Sequence, residues 1–129
     1  MAARVELLNR MDSRVGAVRA LASEDVAKGD VVCISGANTG PIISLADCQH
    51  KSKGLLLVAL TTVKSGGNGR FCQYMIAPLT EKAKVGDPVF LGKKGKWTLK
   101  KLKTGIQIGI VISGKEDDLN VLIAPQGRY

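Results

Sequence analysis

The chain uses one phrase twice, and that constrains its fold more than anything else in it. Residues 27–36 read Ala27-Lys28-Gly29-Asp30-Val31-Val32-Cys33-Ile34-Ser35-Gly36, and residues 83–92 read Ala83-Lys84-Val85-Gly86-Asp87-Pro88-Val89-Phe90-Leu91-Gly92. Each copy is a Gly-Asp turn feeding a short apolar strand that stops at glycine. Gly29 and Gly86 can take the positive φ that other residues resist, and Asp30 and Asp87 can hydrogen-bond nearby backbone amides, so the four residues are expected to be structural turn formers. Each copy leads to an aliphatic, β-branched stretch, Leu55 to Val63 and Ile106 to Ile112, then to a turn and another strand. Ile76-Ala77-Pro78 and Ile123-Ala124-Pro125 read as matching stops. The expectation is an all-β chain: a small β-barrel or β-sandwich-like body of two similar halves, duplicated over roughly 26–78 and 83–125.

A chain of 129 residues buries most of its apolar surface as one domain, here 15–129 behind an N-terminal arm, 1–14. Hydrophobic residues make up 45% of it and aromatic residues only 4%, so the core must be built of Val, Ile, Leu and Ala. The longest apolar run, Leu55 to Leu60, is too short to span a bilayer, and no basic-then-apolar leader opens the chain. A soluble protein made in the cytoplasm, with no membrane partner, is expected.

The arm differs from the body. Leu8, Met11 and Val15 recur at helical spacing and Glu6 and Arg10 form an i,i+4 pair, so the arm is extended or holds a short helix near Val5 to Met11. So short a helix is marginal alone. The arm is therefore either an idle terminus or a segment that gains order by docking, and Leu7, Leu8 and Met11 favour docking.

Along the body, strands are expected over Val15 to Leu21, Ile42 to Ala46, Leu55 to Val63, Arg70 to Ile76, Trp97 to Lys100, Ile106 to Ile112 and Leu119 to Ile123. The last two are apolar enough to be covered on both faces. Pro88 cannot donate to a ladder, so its strand starts at an edge or one residue later. Gly92 to Lys96 reads as a hairpin tip. Ser65-Gly66-Gly67-Asn68-Gly69 lacks the Gly-Lys-Ser/Thr ending and following helix of a phosphate loop, and reads as a turn.

No catalytic set emerges. Cys33, Cys48 and Cys72 are an odd count without a C-x-x-C pair, and His50, the only histidine, has no third group to orient it beside Cys48. Nucleophile elbow, dinucleotide fingerprint and metal-ligand cluster are all missing from the sequence, so neither an enzyme nor a cofactor is expected.

Charge is concentrated instead. Gln49 to Lys103 holds twelve Lys or Arg against Glu81 and Asp87, and six of the lysines fall between Lys93 and Lys103. Such a stretch is a solvated surface, a dock for an acidic protein surface, or a nucleic-acid face acting by counterion release. Single-strand binders interleave stacking rings with charge, and Lys93 to Lys103 offers one ring, Trp97.

These pieces resemble the small head decoration, or capsid cement, proteins of tailed bacteriophages. The resemblance runs over roughly residues 15 to 125 and rests on Val85 to Gly92, on Gly105-Ile106-Gln107-Ile108-Gly109-Ile110-Val111, on Leu119 to Ile123, and on the earlier copy at Ala27 to Gly36. It implies a virion protein on the capsid exterior that binds the major capsid protein, often as a homotrimer, and stabilises its lattice. The contacts it suggests are Val5, Leu7, Leu8 and Met11 of the arm, with Lys93, Lys94 and Lys96 steering. A small basic β-barrel that binds nucleic acid is the alternative.

Overall fold

A computed structural model describes residues 17–37, 40–47, 55–101, 105–115 and 118–127. The protein is all-β. Strands β1 (Val18–Ala22), β2 (Val31–Ala37), β3 (Pro41–Leu45), β4 (Leu56–Ala59) and β5 (Asn68–Cys72) close a barrel in the order β1-β3-β2-β4-β5. Strands β6 (Met75–Leu79), β7 (Pro88–Leu91), β8 (Trp97–Thr98), β9 (Gln107–Lys115) and β10 (Asp118–Ile123) form a second, open sheet in the order β6-β10-β9-β7-β8.

The two sheets are wired alike. Starting from β1 the barrel runs β1-β5-β4-β2-β3, and starting from β6 the second sheet runs β6-β10-β9-β7-β8, so the n-th strand of one half matches the n-th of the other. The Gly-Asp turns occupy matching places. Gly29 N–H donates to Ala59 O at 2.8 Å and Ala59 N–H to Asp30 O at 2.9 Å; Gly86 N–H donates to Val111 O at 2.8 Å and Val111 N–H to Asp87 O at 2.9 Å. The Ile-Ala-Pro tripeptides do not match. Ile76-Ala77-Pro78 lies inside β6, the first strand of its sheet, whereas Ile123 ends β10, the last. Each tripeptide is an apolar strand punctuated by proline, and that pattern is the same at the start and at the end of a unit.

Two apolar cores follow from the strand period of two. Along β2, Val31 points toward the second sheet and Val32 into the barrel; along β4, Leu56 and Val58 point toward the second sheet while Leu57 and Ala59 fill the barrel with Ile43 and Phe71. Strand β4 is covered on both faces along its whole length, which explains its unbroken apolar run, whereas β2 is so covered only at Val31 and Val32. Each such buried Val, Leu, Ile or Phe stabilises the fold by about 1.5–3 kcal/mol, and Ala59 by less.

Four expectations need correction. Burial on both faces was expected of Ile106–Ile112 and Leu119–Ile123, yet β10 alternates: Leu119, Val121 and Ile123 are buried, while Asn120 and Leu122 are only partly so. The second sheet has nothing over its outer face among the described residues, so its apolar excess is exposed. The expected strand from Arg70 to Ile76 is two strands split at 73–74, where the chain leaves the barrel for the second sheet. The expected strand from Leu55 to Val63 ends at Ala59, and Val63 makes an isolated bridge with Val26. Pro88 is the first residue of an interior strand, β7, where a missing N–H is tolerated. The arm at 1–14, with Val5, Leu7, Leu8 and Met11, lies outside the described residues, as do Cys48 and His50.

Candidate interaction surface

The two halves meet at the first Gly-Asp turn. Gly29 has φ 92°, and Asp30 folds the turn by accepting the Ala27 N–H on Oδ2 at 3.0 Å while its own N–H donates to Ala27 O at 3.0 Å. The second turn repeats this: Gly86 has φ 99°, Lys84 N–H donates to Asp87 Oδ2 at 2.8 Å, and Asp87 N–H to Lys84 O at 2.9 Å. Among the described residues, side chains from the other half grip the first turn and not the second. Lys96 Nζ sits 2.8 Å from Asp30 Oδ1, and the Trp97 indole N–H donates to Gly29 O at 2.8 Å. Asp30 is 5% exposed, the one buried charged side chain among the described residues, so the cation and the amide together satisfy a carboxylate that burial would otherwise penalise.

The segment that delivers this grip is not a projecting hairpin tip. Lys93–Gly95 is a single 3₁₀ turn pressed on the barrel, with Gly95 buried and its N–H donating to Ala46 O at 2.6 Å. Gly95 has φ 75°, and a Cβ there would stand 2.7 Å from Val31 O, so the close approach requires glycine. Lys94 has φ 50° and ψ 51°, the only positive φ outside glycine among the described residues. Packing on the barrel holds it in the left-handed region, and both Lys93 and Lys94 are exposed. Of the three lysines proposed from sequence, two therefore stand free at the surface of a rigid turn and the third, Lys96, is paired with Asp30.

Sequence reasoning missed two surfaces. The first is a groove of about 260 Å³ beside the clamp, between the end of β6 and β8. Leu79, Val89, Trp97 and Leu99 line it, with Lys28 and Glu81 also contributing to its walls. The second is an apolar row across the outer face of the second sheet. Register places Ile76 opposite Leu122, Leu122 opposite Ile110, and Ile110 opposite Pro88. Ile76 is 58% exposed. The apolar run of β9 was visible in the sequence, but which residues face outward depends on sheet order and on register shifts at Val89/Phe90 and Asn120/Val121.

Cys33 and Cys72, the cysteines among the described residues, are both free thiols packed in the body. Cys72 is buried, its Sγ–H donates to Tyr74 O at 2.6 Å, and loss of solvation raises its thiol pKa against the smaller lowering by that hydrogen bond. Cys33 is half-buried with its sulfur 3.6 Å from Ser44 Oγ. Among the described residues no three His, Cys, Asp or Glu side chains are arranged to hold a metal ion.

No protein-family model matches the sequence, and no curated protein matches it. The fold, however, is similar to a solved structure, the head fiber gp8.5 N base of bacteriophage phi29. The TM-score is 0.58 at 17% sequence identity, over 88% of this chain and 97% of that one. At that identity the likeness is one of fold.

Proposed function

We propose that this protein is a structural virion protein that sits on the outer surface of a phage capsid and holds neighbouring major capsid subunits together. The observation that carries the reading is the fold likeness to the phi29 head fiber base, which takes in nearly the whole of both chains. The sequence pieces that resemble capsid cement proteins lie on β2, β7, β9 and β10. A role of this kind needs a stiff body with surfaces to spare, and the doubly covered strand β4 with the start of β2 supplies the stiffness.

In this reading the protein assembles as a homotrimer, whose closed symmetry repeats one patch around an axis. The arm residues Val5, Leu7, Leu8 and Met11 engage the shell or a neighbouring copy, and Lys93 and Lys94 steer the approach. Many copies on one shell turn modest individual contacts into a large collective effect.

The test is co-sedimentation of the purified protein with empty mature shells of the phage that encodes it, at low and at moderate salt. Saturable binding at a fixed ratio to the major capsid protein, surviving the salt, is expected. Absence of binding overturns the reading. The +8 charge carries the alternative, nucleic-acid binding, and salt separates the two: about six phosphate contacts would cost roughly 10³ in affinity over the same salt step.

A further inference from the structure

The halves repeat not only their Gly-Asp turns but also a row of side chains beside each turn. Val31 follows Asp30 and lies opposite Val58, which lies opposite Cys72. Pro88 follows Asp87 and lies opposite Ile110, which lies opposite Leu122. The two rows therefore hold the same register positions in their sheets, and Ile76 extends the second row onto β6. Their surroundings differ. Val31, Val58 and Cys72 are buried, and Val31 and Val58 share one core with Val89, Leu91 and Ile108 of the second sheet. Pro88 is exposed, Ile110 and Leu122 are only partly buried, and Ile76 is more than half exposed. The first row is thus covered by the next β-unit of the chain, and among the described residues no third unit covers the second row.

We infer that this second row is the contact between copies of this chain, packed face to face about a symmetry axis. The inference gives a surface to the oligomer of the capsid-surface reading, and rests on that reading only for the number of copies. Two observations fix the occupant. The first is the matching row, whose cover is another β-unit of the same repeat. The second is charge. Ile76, Leu122, Ile110 and Pro88 carry none, and neither do Pro78, Asn120 and Ser113, which form the next row of the same sheet. Copies with a net charge of +8 repel one another wherever lysines face lysines, so an uncharged face is where they can approach. An acidic partner would gain no ion pair there. Exposed apolar surface also gathers on this side of the sheet: Ile112 is exposed beside the row, and exposed Val85 precedes Gly86, whose N–H bonds Val111 O. A contiguous patch of this kind marks an interaction site, where scattered apolar residues do not. A closed rotation brings the same patch of each copy together, and an uncharged apolar patch is compatible with itself.

The experiment is sedimentation velocity of the full-length protein over a concentration series, at low and at moderate salt. Association into multiples of the chain mass is expected, and salt should strengthen it, because screening weakens repulsion between copies and leaves an uncharged contact intact. Ile76→Lys puts a cation on the row of every copy and should weaken association by about tenfold or more. Ile76 is exposed on an edge strand, so the variant keeps the fold. Leu55→Lys, at an exposed apolar residue of the first half away from the row, should associate like the parent. A parent that stays monomeric at its highest soluble concentration overturns the contact. So does association that Ile76→Lys leaves intact, and if deletion of residues 1–14 then abolishes it, the contact belongs to the arm. Shell co-sedimentation separates this inference from the capsid reading. Association that depends on Ile76 without shell binding keeps the contact and removes the capsid role, whereas shell binding by a strictly monomeric parent does the reverse.

Discussion

Asp30 of the first half and Lys96 of the second are joined by a 2.8 Å ion pair that has no counterpart at the repeated turn among the described residues. Asp87 makes the same turn bond as Asp30, yet it is only partly buried and no cation among the described residues pairs with it. One copy of the phrase has thus become the fastening point between the halves, while the other remains a turn.

That asymmetry is measurable. Asp30→Ala removes the turn bond and leaves Lys96 without its partner, and should cost about 2–3 kcal/mol. Asp87→Ala should cost about 1 kcal/mol. Urea midpoints check this, and equal midpoints contradict the fastening role of Asp30.

Trp97→Phe keeps most of the apolar contact and deletes the indole N–H that serves Gly29 O, with an expected loss of about 1 kcal/mol. Trp97→Ala also opens the groove. Because the ring is only half-buried, its cost should fall below the ~3–5 kcal/mol of a fully buried tryptophan. Thermal unfolding of both variants gives the order.

Neighbouring residues of the 3₁₀ turn should respond oppositely. Gly95→Ala drives a Cβ against Val31 O and should destabilise by more than about 1 kcal/mol. Lys94→Gly relieves a left-handed lysine while loosening the unfolded chain, and these effects offset to within about 1 kcal/mol. A large loss in Lys94→Gly would mean that the lysine side chain itself stabilises the turn.

Cys72 sets a pH dependence. Its thiol pKa is raised in the folded protein, so this contribution is whole below the unfolded thiol pKa of about 8.5 and is lost as pH rises from there toward the folded value, because the unfolded thiol ionises first. Cys72→Ala should flatten the decline in stability above about pH 8.5 in urea titrations at stepped pH. A parent decline as flat as that of the variant would refute it.

Deleting residues 1–14 should leave the melting transition of the body in place and weaken shell attachment. Sedimentation with shells measures the second effect, and unchanged attachment removes the arm from the contact.

Much of this fold was written locally. The Gly-Asp turns, the strand lengths near β3, β7 and β10, and the absence of aromatic bulk all follow from residues within reach of one another along the chain. So does the repetition itself, because a turn that needs glycine at positive φ and an aspartate to cap it can be recognised wherever it recurs. The Asp30–Lys96 pair, the groove beside Trp97 and the row from Ile76 to Pro88 were not legible. Each joins residues from different strands, and their meeting depends on sheet order and register, which one-residue shifts such as that at Asn120/Val121 redirect. Sequence determined the turns and the alternation of faces. Tertiary structure alone decided which half closed, because closure requires β3 to be long enough to reach β1, and β8, two residues long, leaves its seam open.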